Sequence, residues 1–183
     1  MPLKPALIPH TISATPLDLP WGKQVSKHFS EVPGFNYFYG DTTWGEIIFT
    51  GQLAEMEAEL QLSFSNRYIV KAILVFGPGG ITESNCLIRY KQMVKLLNVK
   101  YGHYYYREKV EDPLVEDLLY SSKCTPFIAG LRDVVTYWQI KDFKIMITLW
   151  GDDEDAFIVI EYWYTPRLKE AERQTRRKLL KKL

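Results

Sequence analysis

Three histidines, two cysteines, an acidic run and a glycine-rich turn are the residues of this 183-residue chain whose types could do chemistry. His10, His28 and His103 stand far apart, with no H-x-H or H-E-x-x-H spacing that would aim two imidazoles at one metal. No zinc site is read from them, and no cofactor is expected. There is no G-x-S-x-G elbow, so a hydrolase would have to draw its site from residues distant in the chain. Gly77-Pro78-Gly79-Gly80 sits where a strand gives way to a helix, a place where free backbone N–H groups and the helix dipole can hold an anion. The Walker lysine and serine are missing and Pro78 removes a donor, so a sharp strand-to-helix turn is the reading. Asp152-Asp153-Glu154-Asp155 lacks the alternating ligands and central glycine of an EF-hand loop and reads as a solvated hairpin tip. Cys86 and Cys124 are too few for a disulfide framework or a cysteine-only zinc site, and form one bridge or none.

Binding chemistry is better represented than catalytic chemistry. The chain holds 5 Trp, 12 Tyr and 9 Phe. Among them Tyr104, Tyr105 and Tyr106 run consecutively, so in an extended strand Tyr105 faces away from Tyr104 and Tyr106 and at least one ring reaches solvent. Strand aromatics more often serve packing, but an exposed set can hold a protein, a glycan or a base. The last 17 residues form a second candidate. Eight Lys/Arg stand there against Glu170 and Glu172, which leaves residues 1–166 at −5 within a chain of net charge +1. Arg173, Arg176 and Arg177 would lead any contact with an acidic membrane surface, a nucleic acid or a protein partner. A solvated helix whose terminal cations suit its own dipole is the plain alternative.

The elements that position these residues follow from periodicity. Thr82 to Gly102 carries Leu87, Tyr90, Val94, Leu97 and Tyr101 at steps of three and four, predicting one long amphipathic helix with Gly102 in the left-handed position after it. Met56 to Phe64 alternates fully and predicts a half-buried strand, returning through a Ser65-Asn66 turn into Arg67 to Phe76. A strand is expected over about 44–50, preceded by an aromatic passage with Phe35, Tyr37, Phe38, Tyr39 and Trp44. Lys23 to Ser30, with Val25 and Phe29 four apart, suggests two helical turns. HYYYREKV after Gly102 reads as a strand, and Pro113 to Tyr120 as a short helix. Strands follow at Val134 to Ile140, Phe143 to Trp150 and Ala156 to Tyr164, before a final helix from Arg167.

This order predicts an α+β two-layer fold: a mainly antiparallel sheet in two three-strand meanders, with a long central helix and a C-terminal helix. Residues 1–19 read as an extended lead-in, 20–166 as one α+β domain and 167–183 as a basic helix. No apolar run approaches the roughly 18 residues of a membrane helix. The first twenty residues are broken by Pro2, Pro5, Pro9, Pro16 and Pro20 and hold no signal-peptide core.

Several landmarks fall together as a resemblance. Leu19-Pro20-Trp21-Gly22 opens the domain, Lys100-Tyr101-Gly102 ends the helix, and Ile160-Glu161-Tyr162 leads into a charged tail. Over about residues 19–183 the chain resembles a group of small bacterial proteins of unknown function, many of them periplasmic or lipoprotein-anchored. That resemblance implies the periplasm or cell envelope and no catalytic residues; the lipobox cysteine of anchored members is absent. The expected function is non-enzymatic binding to a protein partner through the sheet or its aromatic rim. Alternatives are a small hydrolase, and nucleic-acid or membrane-surface binding through the tail. No small-molecule ligand is read from the sequence.

Overall fold

The fold comes from a computed structural model that describes residues 16–53, 56–77, 86–104, 106–111, 124, 132–151 and 155–168, with the backbone alone at 106–111 and 132–133. Its strands are β1 (Phe35–Asp41), β2 (Glu46–Leu53), β3 (Met56–Ser65), β4 (Tyr68–Phe76), β5 (Tyr106–Glu111), β6 (Arg132–Ile140), β7 (Phe143–Gly151) and β8 (Ala156–Tyr164). One helix, α1 (Cys86–Tyr101), separates β4 from β5. The strands form one antiparallel sheet in the order β1-β2-β3-β4-β8-β7-β6-β5. Two meanders therefore meet at the β4–β8 seam, and each has four strands where three were expected. The additional strand of the first is β1, whose residues alternate poorly because the register slips between Tyr37 and Tyr39. That of the second is β5, which pairs with β6 along its length. The architecture is predominantly antiparallel sheet.

The interior face is set by period-two alternation carried across strand after strand. Phe49, Leu60, Leu74, Ile160, Ile147 and Thr136 are successive cross-strand partners from β2 to β6, and all six are buried. Each fully buried aliphatic or phenyl side chain in such a row contributes about 1.5–3 kcal/mol relative to exposure, and neighbours across the ladder lock the register. A one-residue slip would turn the whole row to water. Thr136 is the polar member, and its hydroxyl lies 2.7 Å from that of Tyr90 on α1. The outer face is mixed. Lys71 and Glu161 form an ion pair at 2.7 Å there, Trp163 Nε1 donates to the same carboxylate at 2.8 Å, and Ile73, Val75 and Val159 are half-buried between such groups.

Tyr90, Met93, Val94 and Leu97 of α1 are buried in the hydrophobic core, where the helix lies against β6 and β7. Its C-terminal end is fixed by one indole: Trp138 Nε1 donates to Asn98 Oδ1 at 3.1 Å and to the Gly102 carbonyl at 3.0 Å. Gly102, at φ 85°, ends the helix with its N–H on the Asn98 carbonyl. Residues 82–85, expected to begin this helix, lie outside the described residues.

The short helix expected over Lys23 to Ser30 does not form. Gln24 bridges Tyr68, and Val25 N–H donates to the Arg67 carbonyl at 2.9 Å, so the backbone there is tied to β4 rather than to its own next turn. Val25 and Phe29, four apart, each still meet the core: Phe29 stands edge-on to Phe49 and Phe64 at 6.4 and 6.3 Å. The hairpin turn is Asn66–Arg67 rather than Ser65-Asn66, with φ of 51° and 64°. Two positive φ values mark the primed turn whose twist matches that of the strands. After β8 the chain makes a helical turn over 165–168. Among the described residues, no helix is long and apolar enough to cross a membrane.

Candidate functional site

Among the described residues, the four most exposed rings gather at one edge of the sheet. Tyr37, Phe38 and Tyr39 on β1 are 49%, 67% and 57% exposed, and Trp44 in the β1–β2 turn is 68% exposed. The register slip explains the crowding. Tyr37 pairs with Phe49 and Tyr39 with Ile48, so Phe38 is the extra residue of a β-bulge and stands outside the regular alternation. Tyr39 and Trp44 hold each other at 5.6 Å between ring centroids, and Tyr37 sits edge-on to Phe49 at 6.1 Å. Beside them lies a concavity of about 340 Å³ bounded by Lys27, His28, Phe29, Ser30, Tyr37, Tyr39, Gly40, Asp41 and Trp44.

Hydrogen bonds rather than packing hold this rim in shape. The Tyr37 hydroxyl donates to the Gly40 carbonyl at 2.6 Å. Gly40 has φ 105°, and a Cβ there would run into the Glu46 carbonyl, so the bend of β1 requires glycine. Asp41 Oδ1 accepts the N–H and hydroxyl of Thr43 and the N–H of Trp44, the last at 2.9 Å. Those donors, the Thr43 hydroxyl first, hold the Asp41 carboxyl below the usual carboxylate range, with the Lys27 charge adding to them against a smaller effect of burial. The buried Thr42 donates its hydroxyl to the Lys27 carbonyl at 3.1 Å and so fastens the far wall of the concavity.

Ser30, His28 and Asp41 border the concavity, yet among the described residues no hydrogen bond joins them to one another, and Asp41 is engaged by its own turn. Among the described residues no group of three or more His, Cys, Asp or Glu could hold a metal. Among the described residues, the titrations clearly moved apart from Asp41 are those of Tyr101 and Tyr162, whose rings stand edge-on at 6.3 Å. Burial pushes the Tyr101 phenol up to about 12, opposed in part by the Tyr162 hydroxyl, and burial pushes Tyr162 well up too. Both belong to the core rather than to the rim.

Of the residues singled out from sequence, those described fall elsewhere. Tyr104 precedes β5 and turns its ring edge-on to Trp138 at 6.1 Å, while its N–H donates to Asn98 Oδ1; it is packed, not presented. Tyr106 begins β5 opposite Tyr137, with only its backbone described. Tyr105, Arg173, Arg176 and Arg177 lie outside the described residues, as do residues 78–80 and 152–154. Cys86 and Cys124 are joined by a disulfide, with Cα atoms 5.1 Å apart and both residues fully buried. The rim rings were visible in the sequence as an aromatic passage. The overlooked signal is that Phe35 to Gly40 contains no charge. A shallower concavity of about 510 Å³ lies between Met56 and the outer side of α1, at Arg89, Gln92, Leu96 and Val99. Compared with known proteins, the chain matches no family model, no curated protein and no solved structure.

Proposed function

We propose that this chain is a non-enzymatic interaction protein whose contact surface is the β1 rim, working in an oxidising compartment such as a bacterial cell envelope. One observation carries the first part: four rings, each about half or more exposed, stand on an edge strand and its turn. Water-facing aromatics gain most when a partner covers them, since large rigid rings bury much area at little entropic cost. The concavity beside them has the size of a small binding pocket but lacks an assembled acid–base pair, which favours holding over turning over. The compartment rests on the Cys86–Cys124 disulfide together with the envelope resemblance, because such bonds persist where the surroundings are oxidising.

Site-specific photocrosslinking tests the surface. A benzophenone side chain in place of Phe38 should form protein adducts in living cells, whereas the same group at Lys144 on the outer sheet face should form few. Equal yields at both positions, or none at position 38, would remove the rim as the contact surface. Thiol counting on denatured, unreduced protein from its native compartment tests the location: two free thiols would exclude an oxidising one.

A further inference from the structure

Resting on that reading of the rim, we infer that the partner is a second copy of this chain, docked β1 to β1 about a two-fold axis. An edge strand presents unpaired backbone groups, and folded proteins blunt such edges with lysine, proline or inward charge. β1 has none of these from Phe35 to Gly40, and instead exposes Tyr37, Phe38 and Tyr39. The edge at the other end of the sheet is different in kind. Its six residues, Tyr106 to Glu111, include Arg107, Glu108, Lys109 and Glu111. A β1-to-β5 contact between copies would be head-to-tail and would grow into an open filament. The charge on β5 discourages that contact, and self-pairing of β1 closes the assembly at two.

The strand is compatible with itself. In an antiparallel pairing centred on Phe38, Asp41 of one copy falls opposite Phe35 of the other, so the two carboxylates sit at opposite ends, on the order of 20 Å apart. No like charges meet along the seam. The register of β1 on β2 slips at Phe38, and the exposed rings beside it add contact area to the strand pairing. Four rings at these exposures offer on the order of 500–600 Å² per copy. Two copies together offer about 1,000–1,200 Å², at the lower margin of specific interfaces, so the dimer is reversible and sensitive to a single charge.

Sedimentation equilibrium of the full chain over roughly 1–200 μM is the test. The expected result is a concentration-dependent mass rising to twice 21.4 kDa. Phe38→Lys and, independently, Trp44→Lys should each weaken association at least about tenfold, as a buried unpaired charge does. Trp150→Lys on the outer sheet face should leave it unchanged. A mass of one chain throughout would overturn the second-copy assignment, as would a dimer lost on Trp150→Lys and kept in both rim variants. The photocrosslink at position 38 separates this failure from that of the wider reading. Adducts with a different protein from a monomeric chain leave the rim as a contact surface and remove the self-pairing; a monomer without rim-dependent adducts removes both.

Discussion

In the half of the sheet from β5 to β8, the interior face lies under α1, whose first residue is bonded through its sulfur to Cys124, and the free edge is rich in charge. In the half from β1 to β4, core contacts come from the irregular segment 16–34, whose Trp21 also packs on Phe143 and Tyr164, and the edge strand among the described residues is aromatic and carries no charge from Phe35 to Gly40. The strand connectivity of the two halves is alike, and both are built on the same cross-strand rows. They differ in how the margins are finished. A helix and a covalent tie finish the second half, whereas the first half ends in exposed rings. On the proposed reading of the rim, the contact surface and the covalent tie lie on opposite sides of the β4–β8 seam.

The separation can be broken from the helical side first. Leu97→Ala should cost about 2–5 kcal/mol in urea melts, because removing this buried side chain of α1 leaves a cavity that the sheet cannot fill. The exposed Lys95→Ala should stay within about 0.5 kcal/mol. On the other half, Phe29→Ala should cost about 1–2 kcal/mol, since that ring is only part-buried. Equal losses at Leu97 and Phe29 would mean that the halves are covered equally well. Replacing both Cys86 and Cys124 by Ser opens a loop of 38 residues and should cost about 2–4 kcal/mol. An unchanged melting temperature would show that the tie contributes nothing to the second half.

How much of this could be read beforehand depended on where the information lies. The alternation of Ile145, Ile147 and Leu149, and the three-and-four spacing of Tyr90, Val94 and Leu97, are local patterns produced by burial on one face, and all six residues are buried as their spacing implies. β1 offers no such pattern: its burial is mostly exposed along the strand and its register slips at Phe38, so neither period two nor an apolar face survives in the sequence. Val25 and Phe29 mimic a helical pair because a chain folded over a sheet can bury two side chains four apart without being helical. Of the three candidate rings, Tyr104 is the one whose side chain is described, and it stands away from the rim. Tyr104-Tyr105-Tyr106 is conspicuous as a run, but Tyr104 packs on Trp138. Which aromatic strand is an edge follows from the order of all eight strands, and no local spacing encodes that order.

A smaller effect belongs to the phenol that ends α1 and the one beside it on β8. Tyr101 and Tyr162 keep their protons to higher pH in the folded chain than in the unfolded chain, where tyrosine titrates near pH 10. Between about pH 10 and 12 the unfolded state therefore binds fewer protons, and stability that is fully present below pH 10 falls as pH rises through this window. Thermal melts from pH 9 upward should drop more steeply for the native chain than for Tyr101→Phe/Tyr162→Phe. Parallel curves would place the alkaline loss elsewhere, in the lysines for example.

The smallest expected effect is the one on which the contrast between the margins turns. Phe38 is two-thirds exposed, belongs to a bulge rather than to the regular ladder, and does not border the concavity. Lysine in its place leaves no cavity, buries no charge in the monomer and keeps the backbone conformation, so Phe38→Lys should change the stability of a dilute monomer by no more than about 0.5 kcal/mol. At concentrations where chains associate, the same substitution should lower the apparent melting temperature, because a partner that binds only the folded chain stabilises it by mass action and the variant loses that term. The diagnostic is the difference between the two regimes. A large loss already present at low concentration would mean that Phe38 holds its own half together, and the open margin would then be a structural element of the fold rather than a surface kept for a partner.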